Sequence, residues 1–123
     1  MSQVDPASQE RIKVLAEARE LRLFLVTVGD LVRLQVLRQL TQREEMSVTE
    51  LVRAVRVSQP LLSWHLGVLK RLGLVRVRRD GRLVWYALNG LALRSFCQRF
   101  AAWIGLDAAS VAEEGEGHDQ GRG

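Results

Sequence analysis

Two helix starts separated by a tight turn constrain this chain more than any other feature. In "MSVTELVRAV", Ser47 is followed three residues later by Glu50. That is the reciprocal arrangement in which the hydroxyl accepts from the third helical N–H and the carboxylate reaches back to the cap. After Val55, "RVSQP" reads as a tight turn, with Ser58 a good N-cap and Pro60 inside the first turn, where its missing N–H costs nothing. A short helix, a turn and a second helix follow from these local signals alone.

At 100° per residue, the second helix gathers Leu61, Leu62, His65, Leu66, Val68, Leu69 and Leu72 into one arc. That arc faces a core. The opposite arc holds Gln59, Pro60, Ser63, Trp64, Gly67, Lys70 and Arg71, a polar and basic face suited to a polyanion groove. His65 lies with the leucines and reads as a structural histidine bonded to backbone or to a side chain. Trp64 points outward, and two readings stay open: packing at the domain surface or against a neighbouring hairpin, and apolar contact with a thymine methyl or a sugar. Gly67 in mid-helix is unfavourable by about 1 kcal/mol relative to alanine. Close approach of another backbone would explain it.

Leu74–Arg79 and Leu83–Leu88 alternate apolar with other residues around Asp80-Gly81, a strong hairpin signal. A two-residue Asp80-Gly81 loop would set Arg79 opposite Arg82, Val77 opposite Val84 and Val75 opposite Tyr86. The other face would then pair Arg78 with Leu83 and Arg76 with Trp85. In this register Arg76 makes a cation–π contact with Trp85, leaving Arg78, Arg79 and Arg82 free. Opposed arginines at a tip are easiest to understand if phosphates neutralise them. Charge agrees: residues 53–82 carry eight Lys/Arg against the single acid Asp80, a balance of +7 in a chain whose total is +4. The remainder is therefore at −3, and the basic block reads as a local polyanion footprint.

The flanks supply further helices. One spans roughly Ser8–Val26, and a second starts near Gly29-Asp30 and carries Leu31, Leu34, Leu37 and Leu40. A last one, "GLALRSFCQRFAAWIGL", is capped by Asn89 and presents Leu93, Phe96, Phe100 and Trp103 as an apolar stripe that needs a partner. Residues 1–7 and the acidic, glycine-rich residues 107–123 are expected to be disordered, leaving one domain over residues 8–106. A chain of 123 residues buries only about two thirds of the surface its unfolded form exposes, so help from a partner subunit would not be surprising.

Several function classes are disfavoured. There is no apolar run near 18 residues and no charged-then-apolar leader, so the chain reads as soluble, unanchored and cytoplasmic. Cys97, His65 and His118 are too sparse for a zinc finger, one cysteine cannot form an intrachain disulfide, and no cofactor is implied. Cys97 reads as a small buried hydrophobe rather than a thiol sensor. Ser63 and His65 stand about 200° apart around the helix and cannot form a nucleophile–base pair, so an enzyme is not expected.

Helix, turn, outward-polar helix and basic hairpin make a mainly α fold with a two-stranded antiparallel β-wing, a winged helix-turn-helix. In order, Ser58-Gln59-Pro60, Ser63 with His65-Leu66, Leu69, Leu72-Gly73-Leu74-Val75, Asp80-Gly81-Arg82 and Tyr86 resemble the ArsR/SmtB family of arsenic- and zinc-responsive repressors. The resemblance covers about residues 29–88. It implies a bacterial transcriptional repressor, homodimeric through its first and last helices, that binds a pseudo-palindromic operator in double-stranded DNA. The Ser58–Leu72 helix would enter the major groove, with Ser58, Gln59, Ser63 and residue 64 at the bases; residue 64 is Trp where the family commonly has Arg or His. The expected DNA contacts are Ser58, Gln59, Pro60, Ser63, Trp64, Lys70, Arg71, Arg78, Arg79 and Arg82. Dimer contacts are expected from Leu93, Phe96, Cys97, Phe100 and Trp103. "GDLVRL" departs from the commoner Asp-Pro-Thr-Arg-Leu pattern at Leu31 and Val32. The family's metal-ligand positions match Val52 and Ala54, or Gly90, Ala92, Trp103 and Leu106, none of which ligates a metal. An apolar molecule, thiol oxidation, a partner protein or no input at all is left as effector. The competing reading is a winged-helix interaction module whose basic face meets an acidic protein.

Overall fold

The computed structural model describes residues 5–106, and the disorder expected for residues 1–4 and 107–123 lies outside them. α1 (Pro6–Val28) starts earlier than the sequence suggests, because Asp5 accepts from the Ser8 N–H at 2.7 Å and Pro6 opens the helix. Residues 5–7, expected to be disordered, thus form its start. It ends at Gly29, whose N–H donates to the Leu25 carbonyl; a Cβ there would sit 2.8 Å from that oxygen, so the corner admits only glycine. Asp30 then caps α2 (Leu31–Gln42), accepting from the N–H groups of Val32 and Arg33 at 2.9 and 3.1 Å.

α2 does not bury its leucine series. Leu31 is 76% exposed and Leu34 is exposed too, while Arg33, Val36, Leu37 and Leu40 face inward. Residues spaced by three drift about 60° per step around a 3.6-residue helix, so four of them cannot share one face.

β1 (Met46–Ser47) leads into α3 (Val48–Val55), where both halves of the Ser47–Glu50 capping box form. Arg56 closes α3 in the left-handed region at φ 62°, and α4 (Gln59–Arg71) follows, capped by Ser58. Leu62, Leu66 and Leu69 of α4 have no accessible surface and pack with Val36, Leu51 and Leu74. Truncating any of them to alanine would cost about 2–5 kcal/mol. Leu61, assigned to this arc by periodicity, is 43% exposed at its edge. Among the described residues nothing lies within 4 Å of the place a Gly67 Cβ would take, so none of them makes the close backbone approach suggested for it.

β2 (Val75–Asp80) and β3 (Leu83–Leu88) form the wing, and β1 adds to β3 to give a three-stranded antiparallel sheet in the order β1-β3-β2. The two-stranded ribbon expected from the sequence therefore gains a strand too short to carry a pattern. The hairpin register also differs: Asp80 pairs with Leu83, Arg79 with Val84, Arg78 with Trp85, Val77 with Tyr86, Arg76 with Ala87 and Val75 with Leu88. The turn residues are Gly81-Arg82, not Asp80-Gly81. Gly81 alone takes a positive φ, 60°, as a type II′ turn requires of its first central residue.

α5 (Gly90–Trp103) is capped by Asn89, which accepts from the Ala92 N–H and donates to the Gly73 carbonyl. None of its residues is fully buried. Phe96 stacks on Phe24 of α1 at 4.7 Å between centroids, and Arg99 pairs with Glu20 at 3.0 Å. Leu93 and Phe96, expected in a dimer stripe, are half-buried against the chain's own core. Cys97, expected to be buried, is exposed in the single chain. Among the described residues, no helix is long and apolar enough to cross a membrane.

Candidate nucleic-acid interface

The turn between α3 and α4 decides which side of α4 meets solvent. Ser58 Oγ accepts from the Leu61 N–H at 3.3 Å and Pro60 occupies the first turn. With the leucines committed inward, Ser58, Gln59, Pro60, Ser63, Trp64, Lys70 and Arg71 are all exposed. Ser63 is exposed while His65 is buried, so the two are not brought together.

His65 is indeed bonded to a side chain, and its partner is one the sequence reading missed. Arg33, buried in α2, donates from Nε to the Thr27 carbonyl at 2.6 Å and from its terminal nitrogen to His65 Nδ1 at 3.0 Å. The same guanidinium lies 5.8 Å from the centroid of Trp64, and the His65 ring meets Trp64 edge-on at 4.9 Å. Asp30 Oδ1 stands 3.7 Å from His65 Nδ1. The Arg33 backbone N–H holds the Asp30 carboxyl below the usual carboxylate range; the Arg33 charge and the Val32 N–H add to this against a burial penalty. One arginine thus ties the end of α1 to two adjacent residues of α4. The Asp30–Arg33 spacing was the available signal, but it read as the helix start alone.

On the wing, the observed register exchanges the roles expected of two arginines. Arg78, not Arg76, lies over Trp85, at 5.6 Å. Its Nε and Nη also grip Glu45 at 3.2 and 2.5 Å, a two-pronged pair that lowers the Glu45 pKa and raises that of Arg78. Arg76 donates to Asn89 Oδ1 at 3.3 Å. Arg78 is therefore engaged within the wing rather than free, whereas Arg79 and Arg82 are exposed and have no ion-pair partner among the described residues. They are also not directly opposed, so the like-charge clash expected at the tip does not arise.

The elements converge. Gln59 at the start of α4 and Arg82 in the wing turn line one small cleft, together with Thr49 at the start of α3. Two helix starts and a basic turn on one side form a surface with hydrogen-bonding groups for bases and cations for phosphates. Among the described residues, no three His, Cys, Asp or Glu side chains are grouped to hold a metal ion.

Comparison with known proteins gives a consistent result. The family model for "Bacterial regulatory protein, arsR family" matches residues 30–77. The chain is 36% identical over 90 residues to the HTH-type transcriptional regulator KmtR of Mycobacterium tuberculosis, covering 73% of this chain and 64% of that protein. It is 33% identical over 91 residues to the nodulation protein NolR of Rhizobium meliloti, covering 74% of each. The solved structure of the transcriptional repressor BigR from Xylella fastidiosa superposes with a TM-score of 0.58 at 31% identity, covering 79% of this chain and 97% of that one. The chain spans between 60% and 65% of the length of several curated relatives it matches.

Proposed function

The chain belongs to the arsR family of bacterial regulatory proteins, and from that premise we propose that it is a DNA-binding transcriptional repressor acting as a homodimer. The observation that carries this reading is the convergence of Gln59 and Arg82 on one cleft beside the exposed side of α4. That arrangement suits a helix seated in a major groove with the wing on the flanking backbone. Ser58, Gln59 and Ser63 face the base edges, with Trp64 beside them. Lys70, Arg71, Arg79 and Arg82 meet phosphates, and Arg78 serves the wing's own structure.

The homodimer is supported by what the single chain leaves uncovered. α1 exposes Ile12, Leu15 and Val26, and the end of α5 exposes Trp103 with the capping Ile104 that follows it. A second copy would cover these faces, with Cys97 and Phe100 beside them. Two-fold symmetry then asks for a pseudo-palindromic operator with half-sites about 10–10.5 base pairs apart, or a multiple of that. Selection from random duplex DNA tests this directly: enrichment of a symmetric sequence, bound by two copies as measured by sedimentation, is the expected outcome. Failure to enrich any sequence, with binding only to an acidic protein, would overturn it.

A further inference from the structure

The middle of the outward side of α4 carries no charge. Trp64 is 58% exposed; three residues earlier Leu61 is exposed as well, and three residues later Gly67 leaves open space where a Cβ would stand. Residues three apart on a helix are surface neighbours, so these form one apolar relief, a ring beside a notch. The ring is held in place. Arg33, anchored on the Thr27 carbonyl, sits over it, and His65 meets it edge-on. Mid-helix glycine is disfavoured relative to alanine, and among the described residues no packing contact requires it here.

We propose that Trp64 reads the 5-methyl group of a thymine in the major groove, with Gly67 as the notch that lets the DNA approach the helix. This rests on the DNA-binding reading above. Base edges in the major groove present hydrogen-bond donors and acceptors, and the thymine methyl is the apolar feature among them. An indole flanked by Leu61 gains by covering a methyl. Against an amino or carbonyl group it would strip water without replacing the lost bonds.

The experiment uses the full chain and the duplex it selects, with each thymine replaced in turn by deoxyuridine, which removes only the methyl. The wild-type protein should lose about fourfold in affinity at one position of each half-site, and about fifteenfold when both are replaced. Trp64→Ala should bind the thymine duplex more weakly and be indifferent to deoxyuridine at those positions. A melting temperature close to wild type would show that the variant is folded. Indifference of the wild type to every replacement overturns the proposal while DNA binding stands. So does retention of the deoxyuridine effect in Trp64→Ala, or dependence on a guanine N7 in its place. If no duplex is selected at all, the repressor reading fails first.

Discussion

The guanidinium of Arg33 donates to Nδ1 of His65 at 3.0 Å, across a buried seam between α2 and α4. His65 accepts there, so the ring carries its proton on Nε2. Because Arg33 also bonds the Thr27 carbonyl, the orientation of the proposed DNA-reading helix is set from the C-terminal end of α1.

Arg33→Met should therefore destabilise the fold by about 2–3 kcal/mol, since it strands two buried acceptors. Urea denaturation checks this. In a double-mutant cycle with His65→Leu the coupling should be about 0.5–3 kcal/mol, and additivity of the two losses would show that the bond contributes nothing.

Asp30 makes part of the stability acid-sensitive. Its folded pKa lies below the ordinary aspartate value, so the stability it contributes is fully present above the unfolded value and is lost as pH falls through the lower, folded value. At pH 7, Asp30→Ala should cost about 1 kcal/mol as a lost N-cap. The gap between wild type and variant in denaturation midpoints should close as pH falls through the ordinary carboxylate range and below it. A gap that stayed constant with pH would remove the charge from the account.

Arg79→Ala with Arg82→Ala should weaken binding to every duplex and flatten the slope of log affinity against log salt by about 1–2 units. Arg78→Ala should leave that slope almost unchanged, because Glu45 already neutralises its charge, and should instead loosen the wing. Titrations at several salt concentrations separate the two. An equal slope change for both would show that Arg78 leaves Glu45 to meet phosphate.

Gly67→Ala should stabilise the fold by up to about 1 kcal/mol, as a propensity gain in open space. DNA affinity should fall at the same time. A variant that is both more stable and equally tight on its operator would show that the notch is not used.

Zinc, nickel, arsenite and chelators should leave operator binding unaltered, because the positions that match the family's metal ligands are Val52 and Ala54, or Gly90, Ala92, Trp103 and Leu106. A useful site needs three or four N, S or O ligands with supporting bonds, and Cys97 supplies one thiol per chain. Stoichiometric zinc uptake coupled to operator release would overturn this.

What the sequence by itself determined lies within a few residues of each signal. Ser47 with Glu50, Ser58 with Pro60, and Asn89 with Ala92 act across a single turn, and each forms where its spacing indicates. The exposed side of α4 was equally legible, because helical geometry relates Gln59, Ser63 and Trp64 without reference to the rest of the chain. Tertiary structure decided the remainder. Arg33 meets a histidine 32 positions away, Arg78 meets Glu45 across 33, and Phe96 reaches back to Phe24 on α1. β1 exists only because β3 lies beside it, and the wing register turned on which residue of Asp80-Gly81-Arg82 would take the first central place. Caps and helix faces are encoded by short-range sterics and hydrogen bonds. A buried charge or a two-residue strand is stabilised by groups that only folding brings near, so no local pattern announces it.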